Sequence, residues 1–317
     1  MTHAATVSQR TGGLDSWLRL ARVSNAPTVM SSAMVGAAIG SAHGLDVLPP
    51  MVPMVLTAIG CTLLYMCGMV MNDYFDQPLD RRERPLRPLV SGSISENAAL
   101  MFAMILLASG ITLLTLASAA SIPWSLLLVS CMLAYNLLHR SAVIGPLLMA
   151  ACRALVPTIA AIACAPDQHP DWNIIGFFAL PLAAYTAAIS ITARHEMLQT
   201  PETDSTHSVR IATAAAVASV CALLPFGAIA FHVVRMPQAG SITTYVCCIL
   251  VANWMLLRGI RWMVLPRGVP RGVMKWIAAI CVIDAGSLLL LSQPLLAGVA
   301  ALAAVMTVGM QRRIMGS

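Results

Sequence analysis

Residues 51–92 read "MVPMVLTAIGCTLLYMCGMVMNDYFDQPLDRRERPLRPLVSG", and the contrast between the two halves decides the fold. The first half, 51–71, carries no formal charge. As a helix it is long enough to cross a hydrocarbon core of about 30 Å. The second half is dense in charge: Asp73, Asp76 and Asp80 fall at three- and four-residue steps, and Arg81, Arg82, Arg84 and Arg87 follow. An uncharged helix running straight into acids and arginines reads as a membrane span that meets an aqueous face.

The remaining sequence agrees. The chain has 317 residues, is 58% hydrophobic and only 10% charged, against about 25% charged in a soluble domain. A water-soluble class is excluded. Spans are expected at 25–42, 51–71, 97–117, 121–138, 142–164, 172–193, 209–234, 241–262 and 273–291, with 294–310 as a candidate short tenth. The reading is an all-α polytopic bundle of about nine transmembrane helices: one transmembrane domain, 23–317, after a polar segment, 1–22. The first 13 residues lack the short apolar core of a cleavable signal, so the first span is expected to persist. Nine cysteines lie scattered in apolar segments without zinc-ligand spacing and read as packing residues.

Basic residues orient the chain. Arg19 and Arg22 precede the first span, Arg81 to Arg87 follow the second, Arg140 follows the fourth, and Arg194 and Arg210 flank the loop after the sixth. Arg258, Arg261, Arg267, Arg271 and Lys275 surround the link after the eighth. All fall on one side of the membrane, the cytoplasmic side by the positive-inside rule, if the N-terminus is cytoplasmic. The expected location is the cell inner membrane. The net charge of +6 then reflects cytoplasmic loops and not nucleic-acid binding.

Asn72, Asp76 and Asp80 are spaced i, i+4, i+8, which puts them on one face of a continuous helix, with Pro78 as the interruption. Asp80 is accordingly expected in the first turn of a loop folded back over the helix end. Gathered carboxylates repel unless a cation sits among them. Magnesium takes oxygen ligands and commonly bridges carboxylates to substrate phosphates. Nearby arginines would supply donors to the same phosphates. A substrate with a phosphate head and a lipid tail accounts for both the charged rim and the apolar spans. Topology alone would explain the arginines as a solvated loop, but not the acids at a span end.

The pattern Asn72-Asp73-x-x-Asp76-x-x-x-Asp80, followed by Arg87-Pro88 and Ser91-Gly92, resembles the first aspartate-rich motif of the UbiA superfamily of intramembrane prenyltransferases. Arg22 and Asn25 resemble the family's amino-terminal pair, and Tyr135 before His139-Arg140 resembles its tyrosine-to-lysine element. Gly145-Pro-x-x-Met-x-x-x-Arg153 and Thr192-x-Arg194-x-Glu196 look most like the EboC branch. The resemblance implies a central cavity and magnesium-dependent transfer of a prenyl group from a polyprenyl diphosphate to a small, lipophilic or aromatic acceptor within the membrane. It also implies a site. Asn72, Asp73, Asp76, Asp80 and Glu196 would hold magnesium, with Asp76, Asp80 and Glu196 closest to catalysis. Arg22, Asn25, Arg84, Arg87, Tyr135, His139, Arg140, Arg153 and Arg194 would bind substrate. The sequence departs from the family where a second Asp-x-x-x-Asp motif belongs: residues 191–208 read "ITARHEMLQTPETDSTHS", with Glu196 as the stand-in and Glu202 and Asp204 nearby. That departure keeps a non-catalytic lipid-phosphate-binding partner or a transporter as the rival. Arg153 and Asp284 lie inside apolar spans, where an ionisable group seeks a partner. Either they form a structural ion pair, or Arg153 reaches the diphosphate.

The one-sided arginines set an accessibility test. In a background without native cysteines, single cysteines at Ser91 and Thr203 should react with an impermeant maleimide only from the cytoplasmic face. One at Gln168 should react only from the opposite face. Labelling of the two charged loops from opposite faces would break the single-site reading, because they could not then close over one diphosphate.

Overall fold

The computed structural model describes residues 13–41, 48–165, 170–194, 239–263 and 269–313. Among these the chain is all helical. The helices are α1 (Leu14–Leu20), α2 (Ala26–Gly40), α3 (Met51–Phe75), α4 (Gln77–Glu83), α5 (Glu96–Ala117) and α6 (Ile122–Leu138). They continue with α7 (Ile144–Cys164), α8 (Trp172–Arg194), α9 (Ala239–Met263), α10 (Val269–Leu290) and α11 (Pro294–Arg313). Eight of the described helices, α3 and α5 to α11, are long and apolar enough to cross a membrane. The expected span at 209–234 lies outside the described residues.

Three elements differ from the sequence expectation. The candidate short tenth span is a full 20-residue helix, α11, and it is part of the core: Leu296, Ala297 and Ala300 pack with Val35 and Ala38 of α2 and Leu288 of α10. The polar stretch after α3 is not a plain loop. Pro78 sits in the first turn of α4, where its missing N–H costs nothing, so a second short helix starts as soon as α3 stops. Finally, part of the polar segment 1–22 folds as α1. Its Trp17 packs edge-on against Phe102 of α5, with ring centroids 5.1 Å apart, and Leu20 is fully buried.

The helix at the expected first span, α2, is only 15 residues long and falls outside those eight, yet it is the hub of the bundle. Every residue of α2 except Met30 and Met34 is buried, and α2 touches α3, α7, α10 and α11. Small residues make this possible. A Cβ on Gly36 would overlap the Pro157 backbone, and one on Gly40 the Ala161 carbonyl oxygen, so α2 and α7 cross backbone to backbone. Without a hydrophobic force between helices in lipid, close contact of this small-xxx-small kind supplies the packing attraction. Gly60 and Gly110 do the same for α3 against α5. In the other half, the Trp276 indole N–H donates to the Leu256 carbonyl at 3.0 Å and the Tyr185 hydroxyl to the Trp276 carbonyl at 2.7 Å, which ties α8, α9 and α10 together.

The α2–α7 crossing predicts that Gly36→Val lowers thermal stability in detergent by the cost of overpacking, about 1–3 kcal/mol or more, because backbone must move. Gly176→Ala in α8, where nothing lies within 4 Å, should leave the melting midpoint unchanged or slightly raised. Equal effects of the two substitutions would show that the crossing does not hold the bundle.

Candidate active site

The acidic stretch acquires its shape from the break between α3 and α4. The Asp76 N–H closes the last turn of α3 on Asn72 at 3.0 Å, and the Asp76 carbonyl then accepts the first amides of α4, from Leu79 and Asp80, both at 2.9 Å. One residue thus ends one helix and starts the next, which points Asn72, Asp73, Asp76 and Asp80 inward; all four are buried. The chain returns through Gly92, whose φ of 73° lies in the left-handed region that favours glycine, to Ser95, which caps α5 by accepting from the Ala98 amide.

Arg87 is folded beneath this turn. Only 2% exposed, it donates from Nη1 to Asp73 Oδ1 at 3.1 Å and to Asp80 Oδ2 at 2.5 Å. Arg22 Nη2 adds a second donor to Asp73 Oδ1 at 3.2 Å. Arg22 has φ 46° and ψ 46°, left-handed for a non-glycine residue. That conformation costs about 1–2 kcal/mol and is held by the packing around it. Burial pushes the Asp80 carboxyl above its ordinary range despite Arg87, and lowers the Arg87 guanidinium despite its two carboxylates.

Asp76 faces the opposite direction. Its Oδ1 lies 3.0 Å from His139 Nε2 and 3.9 Å from Arg140 Nη2, at ion-pair distance, but has no well-aligned hydrogen bond among the described residues. His139 Nδ1 is 3.1 Å from the Asn136 carbonyl. Both ring nitrogens therefore face acceptors, and only the imidazolium donates from both. Burial raises the Asp76 carboxyl, but His139, Arg87 and Arg140 outweigh it and hold the group below its usual value. The Asp76 carboxylate in turn raises His139.

These groups rim a cavity of about 540 Å³ that opens among α2, α3, α6, α7, α8 and α10. Arg22, Asn25, Asn72, Asp76, Arg84, Arg87, His139 and Arg140 line it, as do Tyr65, Tyr135 and the apolar side chains of Leu64, Met69, Leu128, Met132, Val156 and Ile280. The structure thus brings together eleven of the residues singled out from sequence: Arg22, Asn25, Asn72, Asp73, Asp76, Asp80, Arg84, Arg87, Tyr135, His139 and Arg140. It divides the acids, however. Asn72 and Asp76 reach the cavity, whereas Asp73 and Asp80 are turned to Arg87. Arg153 lies deeper on the same wall. Glu196, Glu202, Asp204 and the side chain of Arg194 lie outside the described residues.

One cavity residue and one that holds a cavity residue went unnoticed in the sequence. Asn136 is 2% exposed, lines the cavity and has neither side-chain polar atom hydrogen-bonded among the described residues. An amide inside an apolar span was the available signal, the same one that marked Arg153. Gln311, near the end of α11, donates to Asn25 Oδ1 at 3.0 Å; a partner 286 residues away leaves no local trace.

The residues fit a hard divalent ion in one respect: a buried carboxylate oxygen of Asp76, met by no well-aligned hydrogen bond among the described residues, and Asn72 both line a cavity edge that also holds Arg22, Arg84 and Arg140. Among the described residues no cluster of three acidic, histidine or cysteine side chains is already arranged as a metal cage.

Comparison with known proteins follows the same lines. The chain is 36% identical over 100 residues to a digeranylgeranylglyceryl phosphate synthase of Methanocaldococcus jannaschii, which is 32% of this chain and 34% of that protein. It is 32% identical over 133 residues to the enzyme of the same name from Thermococcus gammatolerans, 42% of this chain and 48% of that one. The matched segments thus span less than half the length of these curated relatives. In three dimensions the fold resembles a UbiA homolog from Archaeoglobus fulgidus bound to GPP and Mg2+, with a TM-score of 0.58 and 15% identity over 87% of this chain and 99% of that one. The UbiA prenyltransferase family model matches residues 29–272, most of the bundle and all of the acid-bearing turn, and the chain belongs to that family.

Proposed function

We propose that this protein transfers a prenyl group from a prenyl diphosphate to a small lipophilic or aromatic acceptor inside the membrane. The observation that carries the reading is the juxtaposition at the cavity: buried acids and arginines at one end, apolar walls below. The names of the curated relatives bring in a glyceryl phosphate lipid as a further acceptor class. The patterns ending in Arg153 and Glu196 support the EboC branch as its place within the family, with the charged loops on the cytoplasmic side.

In this reading the diphosphate lies at the rim, where Arg22, Arg84, Arg140 and protonated His139 offer positive charge, and the prenyl tail lies along Leu64, Met69, Leu128 and Met132. The allylic C–O bond breaks with its electron pair leaving on the diphosphate. The acceptor's nucleophilic atom forms the new bond to the prenyl carbon and gives up its proton to the departing diphosphate. Fixed cations in a water-poor cavity stabilise the charge that develops on the leaving group. The apolar walls keep water from the cationic carbon. Bound magnesium would neutralise the diphosphate further; Asn72 and Asp76, which line the cavity, would hold it, with Glu196 as the further ligand, while Asp73 and Asp80 are taken up by Arg87. Arg87 acts one step back, by holding the Asp73 and Asp80 side chains in place.

Two measurements test this. Purified protein should bind a prenyl thiodiphosphate only with magnesium or a similar hard divalent ion, and Asp76→Asn should weaken binding at least tenfold, about 1.4 kcal/mol. Undiminished binding in excess chelator would sink the reading. For the departed second motif, Glu196→Gln should depress turnover strongly at unchanged melting temperature, while Glu202→Gln and Asp204→Asn change little, because Pro201 separates them from the end of α8. An essential loop acid with a dispensable Glu196 would place the second ligand elsewhere.

A further inference from the structure

The cavity contains one more charged group, well below its rim. Arg153 lies eight residues beyond Gly145 on α7, so its backbone is about 12 Å deeper. Gly145 itself abuts the His139 backbone, at the level of the acid-bearing turn. The Arg153 side chain faces the cavity beside Thr28, Tyr65, Val156 and Ile280.

Of the five N–H donors of a guanidinium, Arg153 uses Nη2 on the Thr28 carbonyl at 2.8 Å, and its buried Nε has no partner among the described residues. No ion pair to Arg153 occurs among them either. Asp284, the acid in the neighbouring span, is turned to α2 instead, where its Oδ2 accepts from the Ser31 hydroxyl at 2.6 Å and the Ser32 hydroxyl at 2.9 Å. The direct ion pair that the sequence left open is therefore not made. Asp284 is held by the two serines, and the guanidinium keeps donors for something in the cavity. A charged group in an apolar interior is expensive when its donors go unused.

We propose that Arg153 selects the acceptor, binding an anionic oxygen group, a carboxylate or a phosphate monoester, on the amphiphile that receives the prenyl chain. The proposal rests on the prenyltransferase reading of the same cavity and names the acceptor chemistry within it. Arg153 is then a specificity residue: it fixes the distance between the acceptor's anionic end and the atom that attacks at the rim. The fork of a guanidinium suits either oxyanion.

The test measures binding to purified full-length protein in nanodiscs, with saturating magnesium and prenyl thiodiphosphate so that the rim is filled. The probes are an alkyl phosphate, an alkanoate and an alkanol of equal chain length. At least one anion should bind tenfold or more tightly than the alkanol and raise the melting midpoint further; which of the two does so identifies the source of the charge. Arg153→Met should abolish the preference and Arg153→Lys weaken it, while thiodiphosphate binding changes less than threefold in both. The lysine variant keeps the buried charge and serves if the methionine variant fails to fold. Three probes bound alike by the unmodified protein would overturn the proposal. So would an anion preference that survives both substitutions, or a loss of thiodiphosphate binding as large as that of Asp76→Asn. Failure of the unmodified protein to bind thiodiphosphate at all would instead strike the prenyltransferase reading, and the anion measurements, which need no transfer, would still decide Arg153.

Discussion

The buried knot of Arg87 with Asp73 and Asp80 is the contact on which the polar end of this bundle depends. Three carboxylates within eight residues at the end of a membrane helix cannot be gathered uncompensated. Arg87 meets two of them from the return loop, and Arg22 meets Asp73 from the start of α2. His139, at the end of α6, stands against the third, Asp76. Segments far apart in sequence are thereby held to one point. Breaking a buried pair on one side leaves an unpaired charge and costs about 3–5 kcal/mol, so the knot acts as a structural clamp as well as a source of charge for the site.

Below the clamp, the bundle contrasts close contact with open space. On one side, Gly36 and Gly40 let α2 lie backbone to backbone on α7. On the other, α3, α6 and α10 stand apart around about 540 Å³ of cavity. The same short, small-residue helix therefore seals the bundle and positions Asn25 and the Thr28 carbonyl at the cavity wall. A polar rim above an apolar interior suits chemistry in which a charged group leaves from a lipid chain.

Membrane class and most of the spans were legible because an apolar run of some twenty residues has few other destinies. The acidic turn was legible too, since acids at a span end are costly without a task. Asp76 and Asn72 do face the cavity. What local spacing could not show was the division of labour: Asp73 and Asp80 are also at the right steps, yet both face Arg87, because only the α3–α4 break and the returning loop decide which way each carboxylate turns. Asn136 and Gln311 escaped notice for related reasons. The first carries a weak signal within an apolar span, and the second meets its partner, Asn25, across 286 residues.

The sequence by itself determined the solvent of this protein, the family to which it belongs and the end of the bundle that holds its charge. These follow from composition and from residues close together along one helix, where backbone periodicity alone sets which side chains share a face. Only the tertiary structure decided which charges neutralise each other and which remain for a ligand. The sequence left open whether Arg153 and Asp284 form an ion pair. In space, two serines of α2 take the carboxylate and the Thr28 carbonyl takes one donor, so the guanidinium faces the cavity. Pairing within an apolar interior is a matter of a few ångströms between different helices, and no one-dimensional pattern carries that distance.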